Sequence, residues 1–202
     1  MSDTPKAGDL ATTLATWLFY LDQAGHRASD ASIASALDRL SALGRLQAEM
    51  LAAAERQEYA EAARIQALLG DEDHNPDTLG QTLVRAVETS LTGDDVGDVL
   101  AWAQAQLGSD HIHADFEGDR EARSQLVRQT TFITGLPWIA QIIDRFPDGH
   151  VGPHWVMVER VTDHVRCMDP YPWDDLDEEI EVPLTDFMVK WELAGCAGLR
   201  WA

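Results

Sequence analysis

GPHWVMVERVTDHVRCMDPY, residues 152–171, decides how this chain is read. Two short runs rich in valine and aromatic residues, HWVMVERV and HVRCM, are joined through a polar Val-Thr-Asp-His connection. That texture predicts an antiparallel hairpin over 154–168. Strand alternation then puts Trp155 and Met157 on one face and His154, Val156 and Val158 on the other. The stretch begins with a histidine and ends with Asp169 before a proline. A carboxylate at the end of one strand can hold an imidazole at the start of its neighbour, fixing its tautomer and stabilising the imidazolium. His154 and Asp169 are therefore candidates for two members of a catalytic triad. The plainer reading is an edge-strand histidine beside an Asp-Pro turn.

Working outward, FITGLPWIAQIID (132–144) has the same strand-like texture, and PLTDFMVKWELAG (183–195) reads as a closing helix with Thr185 as cap and Gly195 as stop. Upstream the texture is helical. Leu10, Leu14, Trp17, Leu18 and Leu21 fall on one helical face before Gly25, and Ile33, Leu37 and Leu40 repeat the period behind a cap at Ser29 or Asp30. LQAEMLAAAERQEYAEAARIQALL (46–69) reads as one further helix because its residues are strong helix formers, ending at Gly70. DEDHNPD (71–77) reads as a solvated loop, followed by helices TLGQTLVRAVETS and DDVGDVLAWAQAQLG. The segment SDHIHADFEGDREARSQLVRQ (109–129) is polar and receives no element. The expected fold class is α+β: N-terminal helices packed on a small C-terminal antiparallel sheet, as one domain over residues 1–202.

Charge limits the partners. The chain carries 35 acidic and 15 basic residues, a formal charge of −20, and its only lysines are Lys6 and Lys190. Such a surface repels phosphate backbones and anionic lipid, so neither nucleic acid nor membrane is expected as a partner. No run approaches the ~20 apolar residues of a membrane span. The first 25 residues lack a basic leader, and the two cysteines, Cys167 and Cys196, have no CxxC spacing. A reducing cytoplasm is the expected compartment.

The order of motifs in the C-terminal part resembles the papain-like cysteine peptidases, closest to their bacteriocin-processing, double-glycine branch. The residues that carry it are Gly135-Leu136-Pro137-Trp138-Ile139, Gly152-Pro153-His154-Trp155-Val156-Met157-Val158, and Val165-Arg166-Cys167-Met168-Asp169-Pro170, with a following helix that holds Phe187 and Trp191. The resemblance implies a papain-like fold, His154 and Asp169 at the inherited catalytic positions, and a nucleophilic cysteine at the start of an upstream helix, where the helix terminus favours a thiolate. TTLATWLFYLDQAGHRASDASI (12–33) has the shape of that helix, and Thr12 stands at the cysteine position. The family's oxyanion glutamine falls near Lys6. Loss of one oxyanion donor costs roughly 10²–10³ in rate and loss of the nucleophile costs more.

The expected function is thus a pseudopeptidase that binds a peptide or protein partner through an inherited cleft. The alternative is an active cysteine-type peptidase or amide hydrolase/transferase with another nucleophile; a third option is a structural subunit of a larger assembly. An internal threonine is a poor nucleophile without a terminal amine beside it, Cys167 on a strand lacks a helix terminus, and Cys196 reads as structural. Trp155, Tyr171 and Trp173 are candidate apolar contacts for the partner. The run Asp174, Asp175, Asp177, Glu178, Glu179, Glu181 would form a negative rim suited to a basic or amine-bearing peptide.

Two further patterns bear on partners. Leu46, Met50, Ala53, Ala54, Tyr59, Ala62 and Ala63 resemble the UVR motif, a helical hairpin that binds proteins, without the Arg-Asp that usually follows; residues 41–90 are accordingly read as a helical insertion. His111 and His113 with Asp110 and Asp115, or His150 with His154, place imidazoles and carboxylates at short spacing. No further ligand pair completes a shell, so neither a metal nor a cofactor is expected.

Overall fold

A computed structural model describes residues 7–70, 74–108, 110–146, 149–168 and 179–201. Among these, seven helices and six strands alternate irregularly. They are α1 (Ala7–Gln23), α2 (Ala31–Glu55), α3 (Tyr59–Leu69), α4 (Pro76–Ser90), α5 (Val96–Leu107), β1 (Ile112–His113), α6 (Arg120–Thr134), β2 (Trp138–Arg145), β3 (Val151–Val161), β4 (His164–Met168), β5 (Glu179–Pro183), α7 (Leu184–Leu193) and β6 (Gly198–Trp201). The strands form one antiparallel sheet in the order β1-β6-β2-β3-β4-β5. The fold is mixed α+β, and no helix among the described residues is long and apolar enough to cross a membrane.

The hairpin read from residues 154–168 is present. β3 and β4 pair around a turn in which the Thr162 amide donates to the His164 carbonyl at 2.8 Å, and the ladder shifts register at Glu159 between Val158 and Arg160. Alternation sorts the hairpin's side chains as period two requires. Trp155 and Met157 join a core with Leu14, Trp17 and Leu18 of α1, Ile33 and Leu37 of α2, Leu83 and Val87 of α4, and Ile139 and Leu199 of the sheet. Val156 and Val158 join a second core with Val165, Cys167, Trp138, Ala140 and Ile142, closed by Val127 of α6 and Phe187, Met188 and Trp191 of α7. Apolar side chains thus leave both faces of the sheet.

The second core exists because of α6, which the sequence reading leaves unassigned. Only Val127 and Thr130 of this helix are buried, so its apolar period is faint. Its ends are nevertheless well specified: the Asp119 carboxylate accepts from the Ala122 amide at 2.9 Å, and Gly135 stops the helix in the left-handed conformation that glycine adopts cheaply. Residues 132–134, read as strand, are its last turn.

Three other boundaries differ. α2 continues from Ala31 through Gly44 to Glu55, merging two expected helices, and the chain turns at Arg56-Gln57-Glu58 inside the stretch read as one helix. The turn closes with the Gln57 amide on the Ala54 carbonyl at 3.0 Å and the Glu58 amide on the Ala53 carbonyl at 2.9 Å, a Schellman arrangement with Gln57 at φ +63°. α2 and α3 pack on each other with Ala53 and Ile65 buried, so the UVR-like stretch contains a helix–turn–helix. Asn75, expected in a loop, caps α4 through the Asp77 amide, with Pro76 in the first turn where a missing N–H costs nothing. α7 starts at Leu184, without a side-chain cap; Thr185, the expected cap, is its second residue.

Candidate functional site

α1, which holds Thr12, lies along β3, the strand that carries His154. Three side chains fix it. The Thr13 hydroxyl donates to the Trp155 carbonyl at 3.1 Å, the Trp17 indole N–H donates to the Pro137 carbonyl at 2.9 Å, and the Tyr20 hydroxyl donates to the Glu159 carboxylate at 3.1 Å. From Thr13 to Tyr20 the helix rises about 10 Å, and from Trp155 to Glu159 the strand advances about 13 Å. α1 and β3 therefore run side by side in the same direction.

Thr13 matters because of what it bonds. The Gln141 amide donates to Ala197 on the β6 side, so the Gln141–Trp155 pair is a non-hydrogen-bonded pair of the β2–β3 ladder. The Trp155 carbonyl consequently points to the other side of β3, towards β4. The described β3–β4 pairing reaches only Met157 opposite Met168. Thr13, fully buried, thus supplies a hydrogen bond to a sheet carbonyl beyond the described end of β4. Sequence reasoning passed over Thr13, yet it stands three residues after Leu10 and four before Trp17, within the apolar stripe. A lone hydroxyl in such a stripe signals a specific partner.

The residues expected from the sequence at catalytic positions distribute as follows. Thr12 is half-buried and one residue from the Thr13 contact, but α1 starts at Ala7, so Thr12 is its sixth residue and not at the helix start where the resemblance puts the nucleophile. His154 is 3% exposed and sits opposite Ile142, on the face shared with Val156 and Val158. α1 and its core residue Trp155 occupy the other face. The structure therefore brings the two elements together through the backbone at 154–155, with the imidazole directed to the α6–α7 side. There the Phe146 ring meets His154 edge-on at 5.7 Å between centroids, and His150 stacks on Phe146 at 4.2 Å. Phe146 is the neighbour that sequence reasoning missed; it follows from the β2–β3 register, with the Phe146 amide on the His150 carbonyl at 2.9 Å beside the start of β3.

Trp155, expected as a ligand contact, is buried in the helix-side core and spends its ring on packing. Asp169, Tyr171, Trp173 and the acidic residues Asp174, Asp175, Asp177 and Glu178 lie outside the described residues. Glu181, the last of the acidic run, is on β5 opposite Arg166.

Neither thiol is at the head of α1. Cys167 is 3% exposed on β4, in the α6–α7 core. Cys196 follows α7 with φ +57°, and burial pushes its thiol pKa up; Arg123 opposes the rise and Glu192 adds to it. Neither cysteine forms a disulfide. Neither placement favours a thiolate nucleophile. Among the described residues no group of three or more His, Cys, Asp or Glu side chains could hold a metal ion; His113 and Asp115 approach to 3.7 Å, but Asp115 also accepts from Arg200.

Compared with family models, curated proteins and solved structures, the chain matches none.

Proposed function

We propose that this chain is a catalytically inactive, papain-like domain that holds a peptide or protein partner beside the α1–β3 junction. The observation that carries the proposal is the docking of α1 on β3 next to His154, while α1 has Thr12, its sixth residue, where the resemblance puts a thiol. Helix and histidine strand lie side by side, with the imidazole facing away from the helix, and the chain's two thiols are elsewhere, Cys167 on β4 and Cys196 after α7. A buried histidine under an aromatic ring is better placed to shape a surface than to exchange protons with water.

The acidic run from Asp174 to Glu181 suits a basic peptide in this reading. Two measurements test it. Incubation with iodoacetamide and with a fluorophosphonate probe should leave Thr12 unlabelled; stoichiometric labelling of any one residue, abolished by His154→Ala, would establish an active hydrolase instead. Titration with a Lys- and Arg-containing peptide should give saturable binding that weakens at least ~10-fold when Asp174, Asp175, Asp177 and Glu178 become amides. Equal weakening when Asp38, Glu49, Glu55 and Glu61 are neutralised would reduce the effect to net charge.

A further inference from the structure

The β3–β4 hairpin gathers cations on the face of the sheet that α1 occupies. Its ladder shifts register at Glu159, and the shift has a chemical result. Strict alternation from Val156 and Val158 would send Arg160 into the α6–α7 core. The extra residue instead turns Val161 towards that core and brings Arg160 directly opposite Arg166. Arg166 is on the α1 face because its strand neighbours Val165 and Cys167 belong to the α6–α7 core, and alternation puts His164 on the same face. Arg160, Thr162, His164, Arg166 and Glu181 line a cavity of about 280 Å³ there.

Like charges directly opposite one another on a sheet repel. The chain has 15 basic residues against 35 acidic ones, yet a bulge sets two of its arginines face to face. Their repulsion is only partly relieved. Arg166 meets Glu159 at 3.4 Å, a carboxylate that also accepts from Tyr20. Arg160 makes no hydrogen bond or ion pair with any described residue, and that includes Glu181, the one acid in the lining. A planar guanidinium fork matches the oxygens of a phosphate group, and here two forks face one cavity beside a hydroxyl and an imidazole. The charge of −20 disfavours long phosphate polymers. It is screened beyond about 8 Å at physiological salt, so a single small anion responds to the lining of the cavity.

We infer that the cavity between Arg160 and Arg166 binds one phosphate group, as free phosphate or as the monoester of a small molecule. The two guanidinium groups are its main ligands, and Thr162 and His164 are further hydrogen-bond donors. The site does not depend on any reading of Thr12 or His154.

Isothermal titration calorimetry at fixed ionic strength, with inorganic phosphate and with phenyl phosphate, tests this directly. Saturable binding with a Kd of about 1 mM or tighter is expected. Arg160→Ala should weaken it at least ~10-fold, the effect of losing a charge-assisted hydrogen bond. Glu181→Gln should tighten it by removing the one negative charge from the lining, and Arg45→Ala, an exposed change on α2, should leave it unchanged. Arg160 is exposed and opposes Arg166, so without phosphate the Arg160→Ala variant should unfold at the parent's Tm or slightly above it. Added phosphate should then raise the Tm of the parent and leave that of the variant unchanged. Phenyl phosphate binding at least as tightly as the free ion supports an organic monoester as the occupant; binding confined to the free ion supports inorganic phosphate. Absence of saturation up to ~20 mM of either, or equal affinity in the Arg160→Ala and Arg45→Ala variants, would overturn the inference.

Discussion

Thr13→Val isolates the contact that docks α1 on the sheet. The substitution keeps nearly the same volume and removes the hydroxyl, so the packing around α1 is left close to its original state. What it removes is the hydrogen bond to the Trp155 carbonyl, 3.1 Å long and buried. A buried hydrogen bond contributes about 1 kcal/mol net, and an acceptor left unpaired in the interior costs about 1–3 kcal/mol. Because that carbonyl points away from β2, the β2–β3 ladder cannot recover it. A loss of about 2 kcal/mol is expected. For a domain of this size that corresponds to a fall in Tm of roughly 4–8 °C by calorimetry. Thr13→Ser provides the control: it keeps the hydroxyl and deletes one methyl, costing about 1 kcal/mol. The order expected is parent, then serine, then valine. A valine variant as stable as the parent, or more stable than the serine variant, would refute the assignment of this hydroxyl as the docking contact.

Two other perturbations probe separate parts of the fold. Gln57→Gly at the α2–α3 turn should stabilise the chain by up to about 1 kcal/mol, because Gln57 holds the left-handed conformation that costs a side-chain-bearing residue about that much; chemical denaturation checks it, and a destabilised glycine variant would contradict the turn geometry. In the folded chain Cys196 should react with a thiol reagent at pH 8 more slowly than a free cysteine, since burial raises its pKa and leaves less thiolate, and its rate should continue to climb above the ordinary thiol range. Cys167 should react only after unfolding. Two fast equivalents at neutral pH would count against both placements.

The parts of the fold that were legible in the sequence share a property: their signal is local and periodic. The β3–β4 hairpin announces itself in the alternation from His154 to Val158, and α1 in the spacing of Leu10, Leu14, Trp17 and Leu21. α6 is lost because its burial is slight and its arginines and glutamines mimic a loop; only Asp119 and Gly135, at its ends, mark it. The turn at Gln57 is invisible to propensity, since Arg, Gln and Glu all favour helix and nothing local demands a break. Packing of Ala53 and Ile65 decides it instead. β6 is four residues long and pairs with both β1 and β2, contacts far away in sequence that no local pattern encodes. At the site, the alternation that correctly faces Trp155 towards the helices also sends His154 to the opposite side. That consequence became visible only once α1 had been placed on one face and α6 and α7 on the other.

The sheet is therefore more than a platform for a histidine. Its two faces carry different chemistry: the α1 side is sealed by aliphatic and aromatic packing from four helices, while the other side is closed by two helices, one of which, α6, is the one helix among the described residues with a net positive charge. β3 contributes to both through alternate residues, so its backbone is the one structural element common to the α1 junction and the α6–α7 core. His154, buried on the second face and covered by Phe146, sits at that boundary. A triad in which the helix head presents its nucleophile to the imidazole needs both groups on one side of the strand. Here the side chains of β3 next to α1 are Trp155 and Met157, both committed to packing. Among the described contacts between α1 and β3 are the Thr13 hydroxyl on the Trp155 carbonyl and the Tyr20 hydroxyl on the Glu159 carboxylate, which fix the position of the helix. That arrangement makes the helix–strand junction, rather than the imidazole, the feature to perturb first.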